Sequence, residues 1–397
     1  MAANPKTAAA LVDRITLTAD QLRTALHVCI VATRGAIILG SPGGGKTSCV
    51  RGVARQIGAD FISSPPLPTL DPTDLRGIPR VETIAGVPRT VWSVPDFLPV
   101  ENPVSASGVG IINYDDFTTA PPAVQAPFYQ LWLEGQLGAY HMPHGWVQMA
   151  TGNYDTDRAG THRSLTPMRS RWITLHLGSD VETFARGAVT GWGADGSKAP
   201  ALTLPVLPPR PRPFRPEVLG FIRFRPELLN QFTADALSYP CERSWEIASD
   251  VLAAVEVLGG VDPTVEHALL AGTVGVGAAA ELLGFLRHFR SLPSIDDILK
   301  NPKKAIVPKE PAALYAVAAA LSRKAEAHVG GGAAGSAGCG KSQCGGCGNI
   351  TAVMEYMGRL PTEFQVFAVR DAQMRDTAIK KTKVFIDWAV KNQVVVL

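Results

Sequence analysis

The sequence predicts a central parallel β-sheet between helices, with β-hairpin inserts, followed by a helical domain. Short apolar runs alternate with helical patterns through the first half of the chain, as strands and crossover helices do in a parallel sheet. One such run, Ala36-Ile37-Ile38-Leu39, opens directly into a glycine-rich loop and a helical pattern. Beyond a proline-rich stretch the apolar spacing turns helical.

The expected strands are 36–39, 109–114, 147–151 and 172–175, and the expected helices of this half include 47–57 and 123–134. Two hairpin-like pieces interrupt them. One covers 80–92 and turns at Ala85-Gly86; the other covers 137–150 and turns at Pro143-His144-Gly145. Residues 199–216 contain PVLPPRPRPFRP, which favours an extended, semi-rigid connector. Helices are expected at 242–258, 264–291 and 311–328. Residues 330–348 are glycine-rich and read as a flexible loop. The tail 354–396 reads as helical, ending in strand-like Val394-Val395-Val396. The expected division is an α/β core over 1–198 and the connector with a helical lid over 199–397.

The chain has 397 residues, which at about 150 per domain corresponds to two to three domains. Its 38 basic and 35 acidic residues leave a net charge of +3. That is no electrostatic footprint for nucleic acid or an anionic membrane. The opening MAANPKTAAALVDR lacks an apolar core, and no apolar run approaches the ~20 residues of a membrane span. The expectation is a cytoplasmic protein with no membrane partner. Of six cysteines, Cys29, Cys49 and Cys241 are scattered. Cys339, Cys344 and Cys347 follow a C-x4-C-x2-C spacing, which fits a [2Fe–2S] site only with a fourth cysteine, or a zinc site with His328. The favoured reading is a flexible loop with exposed thiols.

The strongest signal is Gly40-Ser41-Pro42-Gly43-Gly44-Gly45-Lys46-Thr47, followed by Ser48. It matches the phosphate-loop pattern in full, between a strand and a helix. Glycines let backbone N–H groups converge on phosphate oxygens, and the helix N-terminus adds its dipole. Lys46 supplies a charge to the β- and γ-phosphates, and Thr47 a hydroxyl to Mg2+. The expected cofactors are therefore ATP and Mg2+. A second match at 335–342 has nothing strand-like before it and is set aside. Ile111-Ile112-Asn113-Tyr114-Asp115-Asp116 supplies the partner carboxylates. Asp115 is the expected metal-side acid, and Asp116 the base that orients the attacking water.

With these motifs in this order, the chain resembles the MoxR branch of the AAA+ ATPases. The resemblance continues through PPAVQAPFYQLWLEGQ, LGAYHMPHG, VQMATGNYDTDRAG, LTPMRSRW, Asp71-Pro72-Thr73-Asp74-Leu75-Arg76-Gly77 and Tyr239-Pro240-Cys241-Glu242-Arg243-Ser244-Trp245. It implies Asn153 as sensor 1, Arg171 as the arginine finger with Arg169 as runner-up, and Arg243 as sensor 2 on the lid. It also implies ATP hydrolysis between the subunits of a ring, hexameric in the family. The motion would remodel a client protein, in the family one with a von Willebrand A domain. The family has Glu where this chain has Asp116, which puts the turnover rate in question. The alternatives are an ATP-dependent scaffold with little turnover and a nucleic-acid motor, which the near-neutral charge disfavours.

Overall fold

The computed structural model describes residues 14–157, 162, 166–190, 201–291, 295–329, 347–375 and 383–391. It divides into two compact units. The first is Met1–Pro213 with Asn230–Ala280; the second is Phe214–Leu229 with Glu281–Leu397.

The first unit is built on ten strands among its described residues. These are β1 (Thr16–Leu17), β2 (Ala36–Leu39), β3 (Asp60–Ser63), β4 (Pro79–Ile84), β5 (Val87–Trp92), β6 (Gly110–Tyr114), β7 (Gln136–Leu137), β8 (Tyr140–His141), β9 (Trp146–Gly152) and β10 (Ile173–Leu177). Six of them form one sheet in the order β1-β10-β2-β9-β6-β3, and every pairing in it is parallel. The strands β2, β6 and β10 are buried along their whole length, as strands covered on both faces require. Residues Ile37, Ile112, Tyr114 and Ala150 pack with Phe117, Phe128, Leu131 and Trp132 into one core.

The chain runs from β2 to the sheet edge at β3, returns through β6 and β9, then crosses β2 to place β10 on its other side. Strand order therefore reverses around β2, and such a point opens a crevice at the carboxyl ends of the strands. The phosphate-loop motif leaves β2 at that end.

The hairpin expected at 80–92 is present as β4–β5, turning at Ala85 and Gly86. The second hairpin differs from expectation. β7 pairs with β8 over two residues each, turning near Gly138, whereas 146–152 joins the main sheet beside β2 and β6. The helix expected at 123–134 is split into Pro122–Gln125 and Phe128–Glu134, because Pro127 has no N–H to donate to the carbonyl of Ala123. The helix expected at 264–291 is two, Pro263–Val274 and Val276–Ser291, with Gly275 between them at φ 86°. No apolar run announces β1 or β3, which are short; β3 is only half-buried along its length.

The proline-rich segment has no helix or strand between 201 and 215. It is nonetheless tied down. Leu202 N–H donates to Gln56 O at 3.2 Å, and Arg212 donates to Ala32 O at 2.8 Å. The helices Glu242–Val257 and Pro263–Val274, expected in a lid, belong to the same compact unit as the sheet. Gly272 permits this: a Cβ there would stand 2.0 Å from Thr174 O on β10.

The second unit is helical, with Pro216–Phe224, Ile295–Lys300, Pro311–Val329, Cys347–Met357, Thr362–Arg375 and Lys383–Lys391. Its core gathers Leu314, Val317, Leu321, Val353, Tyr356, Phe364 and Phe367. Cys339, Cys344 and the strand-like 394–396 lie outside the described residues, and Cys347 opens a helix. Among the described residues no helix is long and apolar enough to cross a membrane.

Candidate functional site

The phosphate loop links β2 to the helix Lys46–Gln56. Gly43 and Gly45 take φ of 76° and 84°, left-handed values that favour glycine. Gly45 caps the helix without a side-chain hydrogen bond, so the N–H groups of the first turn, including those of Thr47 and Ser48, have no side-chain acceptor at the cap.

Lys46 lies beneath the loop, 8% exposed. Its ammonium donates to Gly40 O at 2.8 Å, Ser41 O at 3.0 Å and Asn153 Oδ1 at 2.8 Å. Burial lowers its pKa, opposed by Asp116, Asp157 and Asp115 in that order.

Asn153 follows β9 and is locked by its backbone. Its N–H donates to Thr118 Oγ1 at 2.8 Å, and the Thr118 hydroxyl donates back to Asn153 O at 3.0 Å. This clasp requires Gly152, since a Cβ there would meet Thr118 at 2.6 Å.

Asp115 stands at the end of β6. Its Oδ1 accepts from Thr47 Oγ1 at 2.8 Å and from Thr151 Oγ1 at 2.5 Å. Its own N–H donates to Ser64 Oγ at 3.2 Å. Asp116 follows at φ 54°, ψ 39°. Burial raises its pKa, Asp115 adds to the rise, and Lys46 opposes it.

The three arginines separate by environment. Arg169 is 2% exposed and donates to Ala234 O at 2.8 Å and Ala236 O at 2.9 Å. Arg171 is partly exposed, lies 5.6 Å from the Tyr129 ring centroid, and donates to Pro167 O. Its Nε is buried with no hydrogen-bond partner among the described residues. Arg243 donates to Ser170 Oγ at 3.2 Å. Burial lowers the pKa of Arg171, and the charge of Arg243 lowers it further. Arg171 and Arg243 thus sit as neighbours, whereas Lys46, Asn153, Asp115 and Thr47 form a separately bonded group.

The oxygen donors suit a hard cation. The Thr47 hydroxyl and the Asp115 carboxylate are already in contact, which fits the few direct protein ligands that Mg2+ takes beside phosphates and water. Among the described residues no group of three or more His, Cys, Asp or Glu could hold a metal by itself. Of the scattered cysteines, Cys29 and Cys49 are buried free thiols and Cys241 is half-buried.

The motifs did not single out Thr151, Thr118, Ser64 or Asp157. The first three act through hydrogen bonds to motif residues, which spacing alone does not reveal. Asp157 lies in the turn after Asn153 and adds a third carboxylate to the field at Lys46.

No family model matches the chain, and no curated protein matches it. A solved structure of a candidate ATPase from Cytophaga hutchinsonii is similar at 17% identity and a TM-score of 0.44, over 66% of this chain and 82% of that one. NtrX from Brucella abortus, solved in complex with ATP, aligns at 13% identity and a TM-score of 0.29, over 78% of this chain and 64% of that one.

Proposed function

We propose that this chain is an AAA+ ATPase resembling the MoxR branch. It binds Mg·ATP on the 40–48 loop and hydrolyses it at the interfaces of a ring of like subunits, six in the family. The observation that carries the reading is the convergence at the strand ends. Lys46 meets Asn153 and Thr47 meets Asp115, each at 2.8 Å, and the four residues come from three separate motifs.

In this reading the loop amides and Lys46 take the phosphate oxygens. Thr47 and Asp115 hold Mg2+, which neutralises phosphate charge when bound. Asp116 orients the attacking water, and Asn153 fixes its position relative to Lys46. Arg243, as sensor 2, reports the γ-phosphate, and Arg171 presents guanidinium charge to a neighbouring subunit's nucleotide. Arg169 does not share that role, because its guanidinium is committed to two backbone carbonyls. Hydrolysis drives a motion that remodels a client protein, by the resemblance one with a von Willebrand A domain. The raised pKa and left-handed backbone of Asp116 favour one second reading, a nucleotide-dependent scaffold with little turnover.

The test is steady-state ATP hydrolysis against protein concentration for wild type, Lys46→Ala and Arg171→Ala. The ring ATPase requires activity that rises cooperatively with concentration and is lost in both variants. Wild type that binds ATP and assembles, yet hydrolyses no faster than Lys46→Ala, supports the scaffold.

A further inference from the structure

We propose that Thr151 is a positioning residue for the metal, acting through Asp115; this rests on the Mg·ATP reading above. Thr151 lies on β9, between the strand that carries the phosphate loop and the strand that carries Asp115. It is in register with Ile38 on β2, and Ala150 before it pairs with Tyr114 on β6. The side chain is 1% exposed. A threonine hydroxyl buried this deeply requires an acceptor, and the one it has is Asp115 Oδ1.

The same oxygen also accepts from Thr47. Two hydroxyl donors on Oδ1 fix the rotation of the carboxylate. They leave Oδ2 without a hydrogen-bond donor among the described residues, available to the cation or to its water. The two donors are not equivalent. Thr47 belongs to the phosphate loop and is itself offered to the metal, so its position changes with the ligand. Thr151 is set in the middle of a parallel sheet and keeps its place. It therefore holds Asp115 in one orientation whether or not nucleotide is bound. The Ser64 hydroxyl does the same for the backbone of Asp115, accepting its N–H.

The experiment measures binding of a fluorescent ATP analogue, in EDTA and across a Mg2+ titration, with the hydrolysis rate followed in the same titration. Thr151→Val removes the hydroxyl at nearly constant volume, Thr151→Ala removes it without risk of crowding, and Thr151→Ser keeps it. Loss of a group that orients a metal ligand typically costs 10–100-fold in metal affinity. The expected result is a Mg2+ midpoint raised at least tenfold in Thr151→Val and Thr151→Ala, with unchanged affinity in EDTA and a wild-type midpoint in Thr151→Ser. A purely structural role would move melting temperature and EDTA affinity together instead. Wild-type Mg2+ midpoints in both hydroxyl-free variants overturn the proposal and leave the ATP reading standing. Wild-type protein whose analogue binding is absent, or indifferent to Mg2+, overturns both.

Discussion

The ammonium of Lys46 donates to Oδ1 of Asn153 at 2.8 Å, a bond that crosses 107 residues of sequence. It joins the phosphate loop to the end of the neighbouring strand. In the proposed reading a bound γ-phosphate would compete for the same lysine, which would couple nucleotide binding to the placement of Asn153. Asn153→Ala leaves Lys46 its two loop carbonyls. It is expected to keep ATP affinity within about threefold and lower hydrolysis by ~10²-fold, the scale of losing one preorganised dipole. Lys46→Ala instead removes a charge-assisted bond of about 1.5–3 kcal/mol, or roughly 10–150-fold in affinity. Calorimetric titration with ATP beside a phosphate-release assay separates the two.

Asp116 has a backbone that explains its identity. Left-handed φ costs L-residues roughly 1–2 kcal/mol, and Asp tolerates it better than longer side chains. Asp116→Glu, the residue usual in the resembled family, is therefore expected to lower stability by up to ~1 kcal/mol. Denaturant unfolding of the variant checks this.

The pH dependence at Asp116 follows from its raised pKa. The folded chain holds this proton more tightly than the unfolded chain does. The resulting stabilisation is complete below the ordinary carboxylate value and is lost as pH rises through the raised folded value. Asp116→Asn is expected to melt progressively higher relative to wild type as pH crosses that window. In the same window wild-type hydrolysis should rise with pH, as the base ionises. Melting curves and rate profiles between acid and neutral pH test both limbs.

Arg169 and Arg171 are two residues apart and are expected to fail differently. Truncating Arg169, itself 2% exposed, removes its hydrogen bonds to Ala234 O and Ala236 O, carbonyls of an exposed and a half-buried residue, at about 0.5–1.5 kcal/mol each. Arg169→Ala should therefore lower the melting temperature first and activity only as a consequence. Arg171→Ala should leave melting nearly unchanged and abolish the concentration-dependent part of hydrolysis. Melting curves and activity on the same samples decide it.

The sequence makes the core of this site legible because the chemistry is local there. A strand, glycines, lysine and threonine within twelve residues announce the phosphate loop, and IINYDD announces its acids. Asn153 and the arginines come from resemblance, and spacing could not show that Arg169 is buried while Arg171 is not. The fold was readable where strands are apolar along their length, as in β2 and β6. It was not readable at β1, two residues long, or in the extent of the second hairpin, whose turn was expected at Pro143-His144-Gly145; the strand expected at 147–151 is present as β9. Parallel pairing beside β2 depends on distant partners that no local pattern encodes. The division into the two compact units is equally invisible locally, since Gly272 against Thr174 is a contact between segments about a hundred residues apart.

Asn113 is fully buried on β6, and neither its Oδ1 nor its Nδ2 has a hydrogen-bond partner among the described residues. An unmet buried amide costs about 1–3 kcal/mol. Asn113→Leu, similar in size and apolar, is expected to raise stability by about that amount. Chemical denaturation of the variant tests it, and a loss of stability would overturn this account of the amide.

Arg34 closes a buried ion network that anchors the proline-rich segment. Its Nε donates to Asp250 at 2.7 Å and a terminal nitrogen to Glu246 at 2.5 Å, while Arg212 approaches Asp250 at 3.3 Å. Asp250 is 4% exposed at its side chain, so its charge depends on these guanidinium groups. Removing one partner of a buried pair typically costs 3–5 kcal/mol, because the other charge is left without compensation. Arg212 remains beside Asp250 in Arg34→Ala, which places the expected loss at the lower end, about 3 kcal/mol. Glu246 is 40% exposed, so water compensates it and Glu246→Ala should cost under ~1 kcal/mol. The double variant Arg34→Ala, Asp250→Ala removes both charges and should recover part of the loss. Urea unfolding of the single and double variants gives the coupling directly. Additive effects would mean that Arg34 and Asp250 are not a pair in solution.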